Sequence, residues 1–193
     1  MFWALFLFVA FMVGSPGPAN MVLMAAGARF GLRASLRFLI GIITGKFLLN
    51  AVIALGFYEM LRAMPVLLDL LTYGSAAFMI WLSFSMIRPF RETGTLHQPP
   101  GFIKGLMVHP MNPKAWAMLT ISWSSYGPGF DDPWLRFLSI AGTFMGVQVI
   151  FHSLWCYAGA RLMMLLPSER SRDLAGVILA VVTVALVLFI VFI

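Results

Sequence analysis

Two short segments, Gly14-Ser15-Pro16-Gly17-Pro18 and His109-Pro110-Met111-Asn112-Pro113, each interrupt an apolar run otherwise long enough to cross a lipid bilayer. Proline lacks the N–H that a helix needs and clashes with the preceding turn, so two prolines within a few residues end a regular helix. Backbone groups freed at membrane depth must then be satisfied by protein, water or ligand, so such a break should line a cavity. Six apolar stretches are present: 1–28 (interrupted), 36–61, 66–87, 102–126 (interrupted), 134–166 and 174–193. About 20 apolar residues suffice for a helical span. The fifth stretch is longer than a span needs. With 61% hydrophobic and 10% charged residues, the chain has too few polar groups to cover a soluble globule, which carries roughly 25% charged residues. Lipid removes that requirement.

The formal net charge of +6 does not point to nucleic acid, because the basic residues sit singly at the ends of apolar runs, not clustered on one face. The single cysteine, Cys156, allows neither an intrachain disulfide nor a paired-thiol relay. The first apolar run has no basic residue before Arg29, so it reads as mature structure and not as a signal peptide. Connections after spans one, three and five hold Arg29, Arg33, Arg37, Arg88, Arg91, Lys104, Arg161, Arg170 and Arg172. Those after spans two and four hold only Arg62 and Arg136, beside Glu59, Asp69, Asp131 and Asp132. The positive-inside rule places the first set in the cytoplasm and both termini outside. Trp134, Trp155 and Tyr126 suit interfacial anchors.

The expected architecture is all-α: six transmembrane helices in one membrane domain, with a first repeat over 1–87, a connecting loop over 88–101 and a second repeat over 102–193. Pro18 and Pro113 lie about half the chain apart, and so do Gly41-xxx-Gly45 and Gly142-xxx-Gly146. Three helices per repeat is an odd number, so the repeats are inverted, with spans one and four broken. Many secondary transporters are built this way. Chance recurrence of Gly and Pro, both common in membrane helices, is the alternative.

Pro18 and Pro113 suit the first position of a renewed helix, and Asn112 suits the cap before it. Two helix N-termini facing one another near the midplane, with Lys114 beside them, would accept a carboxylate. Simple proline kinks with Lys114 reaching an interface would explain the same residues. The GxxxG pairs suit close helix packing. Beyond them, Lys46 and Asn50 share a helix face at i, i+4, as do Gln148 and His152. A charge so deep costs about 2.5–3.5 kcal/mol or more, which marks Lys46 as functional by default; a hydrogen-bond network between helices is the bland alternative. No Asp or Glu lies mid-span. Proton coupling would therefore fall to His109, His152 or Lys46, histidine titrating near physiological pH.

Residues 14–20, followed by Ala26-Gly27-Ala28-Arg29-Phe30-Gly31-Leu32-Arg33-Ala34, resemble the opening of LysE/RhtB-type amino-acid exporters. The family's pattern there is [TS]-P-G-P-x-N, then G-x-R-x-G-x-R-x-G/A. Asn112-Pro113-Lys114-Ala115 is similar to its N-P-K motif, and the likeness runs through the whole chain in order and spacing. It implies a bacterial inner-membrane exporter of amino acids or related metabolites, usually driven by the proton gradient. By this resemblance Pro16, Gly17, Pro18 and Asn20, with Asn112, Pro113 and Lys114, fall on the family's broken helices. Two features depart from the pattern: His109-Pro110-Met111 ahead of the motif, and Lys46 in span two.

Lys46 and Lys114 without carboxylate partners disfavour a dibasic substrate and favour a carboxylate-bearing neutral or acidic one. The family suggests homoserine, threonine and branched-chain amino acids. The expected substrate-binding set is Ser15, Pro16, Gly17, Pro18, Asn20, Lys46, Asn50, Asn112, Pro113, Lys114 and Gln148. Expected partners are an amino acid, the bilayer and a proton gradient, with a homo-oligomer allowed. No enzyme activity, cofactor, metal or nucleic acid is expected. No Walker A loop is present, so transport should draw on an ion gradient. Competing readings are a carrier of the same fold for a metal ion or another solute, a regulatory membrane subunit, and an intramembrane hydrolase pairing Ser15 with His152.

Overall fold

The computed structural model describes residues 1–57, 63–85 and 99–192. Seven α-helices and no strand occur among them: α1 (Phe2–Gly14), α2 (Pro18–Ala54), α3 (Pro65–Phe84), α4 (Phe102–Val108), α5 (Pro113–Ile121), α6 (Pro133–Leu165) and α7 (Glu169–Phe192). α2, α6 and α7 are each long and apolar enough to cross a membrane. The exposed side chains agree, since Trp3, Leu7 and Phe11 of α1 are each about two-thirds exposed or more, a surface that only lipid suits. Glu59, Arg62, Arg88, Arg91, His97 and most of the expected 88–101 loop lie outside the described residues.

Proline opens four of these helices, at Pro18, Pro65, Pro113 and Pro133, where its missing N–H costs nothing. Asn112 and Asp132 cap α5 and α6 by accepting from Lys114 N at 3.1 Å and Leu135 N at 2.6 Å. The loop expected after span one is instead helical but for a single residue. Gly31 bends α2 at φ 77°, ψ 167°, a left-handed conformation that favours glycine.

Close backbone approaches hold the bundle together. A Cβ on Gly27 would strike the Cys156 carbonyl and one on Gly159 the Met24 carbonyl, so α2 and α6 touch reciprocally. Gly41 and Gly45 meet α4 in the same way at Phe102 and Leu106, and Gly105 meets Phe38. This is the small-residue packing that membrane helices use. The second glycine pair differs from the packing role expected of it. A Cβ on Gly142 or Gly146 would meet nothing within 4 Å, and both line an open groove beside Phe2 and Phe6.

Two apolar clusters form the core. One joins Ala19, Val22 and Ile42 of α2 to Met79, Val108, Cys156 and Val187; the other joins Leu5, Val9 and Val13 of α1 to Leu49, Ala115, Met118, Phe144 and Val147. Several buried polar residues fall in the chain between members of one cluster and members of the other, among them Asn20, Lys46, His109, Asn112, Gln148 and His152.

Candidate functional site

The break between α1 and α2 exposes carbonyls that no helix satisfies, and their partners can be traced one by one. Phe11 O accepts from Ser15 N at 2.9 Å, and Met12 O from Ser15 Oγ at 3.0 Å. Asn20 Nδ2 donates to Val13 O at 2.7 Å and to Ser15 O at 2.9 Å. Trp155 Nε1 donates to Gly14 O at 3.2 Å. Lys114 Nζ, from the other break, donates to Ser15 Oγ at 2.9 Å, Pro16 O at 3.1 Å and Ser15 O at 3.4 Å. In the second break Trp116 Nε1 donates to Pro110 O at 2.9 Å and Asn112 N to His109 O at 3.1 Å. Two indoles thus close breaks that proline opened. Trp155 serves here and not as the interfacial anchor expected of it. Trp134 is largely exposed, and Tyr126 packs on Phe8 at 5.5 Å between ring centroids.

Between the breaks lies a cavity of about 20 Å³, lined by Gly17, Ala19 and Asn20 from the start of α2, by Asn112 and Lys114 from the start of α5, and by His109, Gln148 and His152, with Met12, Val13 and Met118 as its apolar wall. That is room for about one water molecule. Both renewed helix N-termini border it. Its polar wall is under-satisfied: Asn20 Oδ1, His109 Nδ1, Gln148 Oε1 and His152 Nδ1 are buried and find no hydrogen-bond partner among the described residues. Gln148 Nε2 donates to His109 Nε2 at 3.0 Å, and the His109 and His152 rings stack at 5.5 Å and 23°. Buried polar atoms rarely stay unpaired without a reason, and a bound ligand is one such reason.

Not every expected site residue lies here. Lys46 is buried behind the start of α5, donating to Ala115 O at 3.2 Å with its ammonium 4.6 Å from the Phe144 ring centroid. Asn50 belongs to the same network, donating to Lys46 O at 3.1 Å and accepting from Trp123 Nε1 at 3.3 Å. Neither lines the cavity. Ser15 and Pro16 reach it through Lys114, while Pro18 and Pro113 shape the two helix starts. The partners of the Ser15 hydroxyl are Met12 O and Lys114, with no contact to His152 that would set up a nucleophile. Asn20 as a carbonyl clamp and the two indole caps escaped sequence reasoning. A tryptophan six residues after Pro110 offers little signal, and Trp155 is far from Gly14 in sequence.

A family model of LysE type translocators matches residues 10–192. An uncharacterized membrane protein of Pseudomonas aeruginosa is 30% identical over 175 residues, covering 83% of this chain and 80% of that protein. No solved structure matches the chain. The likeness read from residues 14–34 and 112–115 therefore extends over nearly all of the sequence.

Proposed function

The chain belongs to the LysE type translocator family, and on that premise we propose that it exports small neutral amino acids or related carboxylate metabolites by proton antiport. Its setting is the bacterial inner membrane, with six spans arranged as two inverted repeats and both termini outside. One observation carries the reading. Two broken helices bring to one cavity their renewed N-termini, an ammonium and four residues that each hold an unpartnered buried polar atom.

The chemistry divides between the cavity's two sides. A substrate carboxylate suits Lys114 and the positive ends of α2 and α5. The substrate's ammonium suits Asn20 Oδ1 and Gln148 Oε1, both acceptors. No Asp or Glu among the described residues lines the cavity, so a second ammonium on a dibasic substrate would go unpaired. The stacked His109 and His152 are the proton carriers, with Lys46 behind them. At about 20 Å³ the cavity has no room for an amino acid; transport requires the half-helices to pivot at 15–17 and 109–112. Such pivoting about a fixed midplane site is how alternating access works in inverted-repeat carriers.

The test is uptake of labelled amino acids into inverted vesicles with and without an imposed pH gradient. Gradient-driven uptake of threonine or homoserine, exceeding that of lysine, is the expected result. His109→Gln and His152→Gln should blunt the response to the gradient; full retention in both would remove the histidines from coupling. Faster transport of lysine or arginine than of neutral amino acids would overturn the substrate assignment. Uptake of a divalent metal and no amino acid would favour the metal-carrier reading.

A further inference from the structure

Lys114 stands where a cation is electrostatically misplaced. It is the second residue of α5, at the positive end of the helix dipole, where cations are disfavoured. The positive end of α2 borders the same cavity, and its cap residue Gly17 supplies no side-chain acceptor. The ammonium relieves this by reaching across to the C-terminal end of α1, the negative end of that helix. There it holds Ser15 Oγ, Ser15 O and Pro16 O at 2.9, 3.4 and 3.1 Å. Gly17 eases the reach, since a Cβ at that position would lie 3.0 Å from both Lys114 Cδ and Lys114 Nζ. This one side chain ties the break in span one to the break in span four.

From this geometry we propose that Lys114 is a ligand-exchanged latch: its ammonium holds the two breaks together in the shut state and is drawn off Ser15 and Pro16 by the carboxylate of the solute. The proposal rests on the carboxylate site described above and assigns how that site is regulated. A carboxylate would neutralise the two helix N-termini and the ammonium together, which the Ser15 and Pro16 carbonyls, being neutral dipoles, do only in part. The unpartnered Oδ1 of Asn20, on the same wall and nearly fully buried, is an independent sign that the cavity is built for a ligand with a donor beside its carboxylate. Once Lys114 turns to the ligand, Pro16 O loses its side-chain donor and Ser15 O keeps only Asn20, so the end of α1 is released to pivot. Loading and unlocking are thereby one event, and a carrier holding neither solute nor proton stays shut.

The test uses the full chain in nanodiscs, with Cys156→Ala to remove the native thiol and Val13→Cys to place one on the buried part of the cavity wall. N-ethylmaleimide is too large for a 20 Å³ cavity, so its reaction rate reads how often the site opens. Its neutrality keeps a change of charge at position 114 from altering its local concentration. Each charge-assisted hydrogen bond lost is about a tenfold change or more in an opening equilibrium. Lys114→Met should therefore raise the labelling rate at least about tenfold, and Ser15→Ala by less. Sodium acetate should accelerate labelling of the Lys114 protein and leave the Lys114→Met protein unchanged, while methylammonium chloride accelerates neither. Equal rates with Lys114 and Lys114→Met, or no acetate effect on the Lys114 protein, would overturn the latch. Because acetate is the probe, a failure of every amino acid to be transported would refute the exporter reading without touching this result. Normal amino-acid transport with acetate-insensitive labelling would refute the latch alone.

Discussion

Replacing Lys46 with methionine separates a functional charge from a structural one. An ammonium this deep costs about 2.5–3.5 kcal/mol to place in the membrane. Its bond to Ala115 O returns about 1.5–3 kcal/mol, and the Phe144 ring at 4.6 Å about 2 kcal/mol when desolvated. The terms cancel to within about 2 kcal/mol, so the fold gains or loses little from the charge. Methionine fills a similar volume, and Ala115 O lies inside α5, where the helical bond to its carbonyl persists. Lys46→Met should therefore shift the thermal midpoint of the purified protein by no more than about 8 °C, taking about 2–4 °C per kcal/mol for a chain of this size. Amino-acid transport in proteoliposomes should nevertheless fall at least about a hundredfold, the size of effect expected when a positioned proton-transfer group is removed. A midpoint lowered by more than about 15 °C, equivalent to roughly 4 kcal/mol or more, would mean that the charge holds the bundle together. Wild-type transport would mean that Lys46 carries nothing.

The two glycine pairs should respond oppositely to the same change. Gly45→Leu drives a side chain into the Leu106 backbone and should abolish folded, monodisperse protein, whereas Gly146→Leu projects into open space and should leave thermal stability within about 1 kcal/mol. Asn20→Ala strips the side-chain donor from Val13 O and leaves Ser15 O with Lys114 alone, which should destabilise by at least about 2 kcal/mol in a thermal unfolding assay. Trp155→Phe keeps an aromatic ring but loses the pyrrole ring and its bond to Gly14 O, and should cost at least about 1 kcal/mol, a shift of a few degrees.

What the sequence made legible is what proline and hydropathy control. Pro18, Pro113 and the Asn112 cap mark helix starts because their backbone limits are local, and the apolar runs fall on the helices that follow. Lys114 and Gln148 were legible as polar residues in apolar surroundings, and both line the cavity. The remainder depends on contacts between distant segments. Lys46 and Lys114 read alike as lone membrane charges, yet only Lys114 reaches the cavity, because Lys46 is turned toward Ala115 and Phe144 on the far side of α5. Gly41-xxx-Gly45 and Gly142-xxx-Gly146 share a pattern, but the neighbour that makes a glycine necessary, α4 in the first case, is not written in the motif itself. Gly31 sits in a basic stretch that reads as a loop. It proves to be a one-residue bend, since a single positive φ is enough to redirect a helix.

Whether the cavity between the two breaks is the transport site is tested by solute counterflow in proteoliposomes. Vesicles preloaded with unlabelled threonine are diluted into trace labelled threonine, with no ion gradient imposed. The wild-type protein should accumulate label transiently, and Asn20→Leu and Gln148→Leu variants that remain folded should not. Counterflow undiminished in both variants would contradict that assignment and move the pathway away from this cavity.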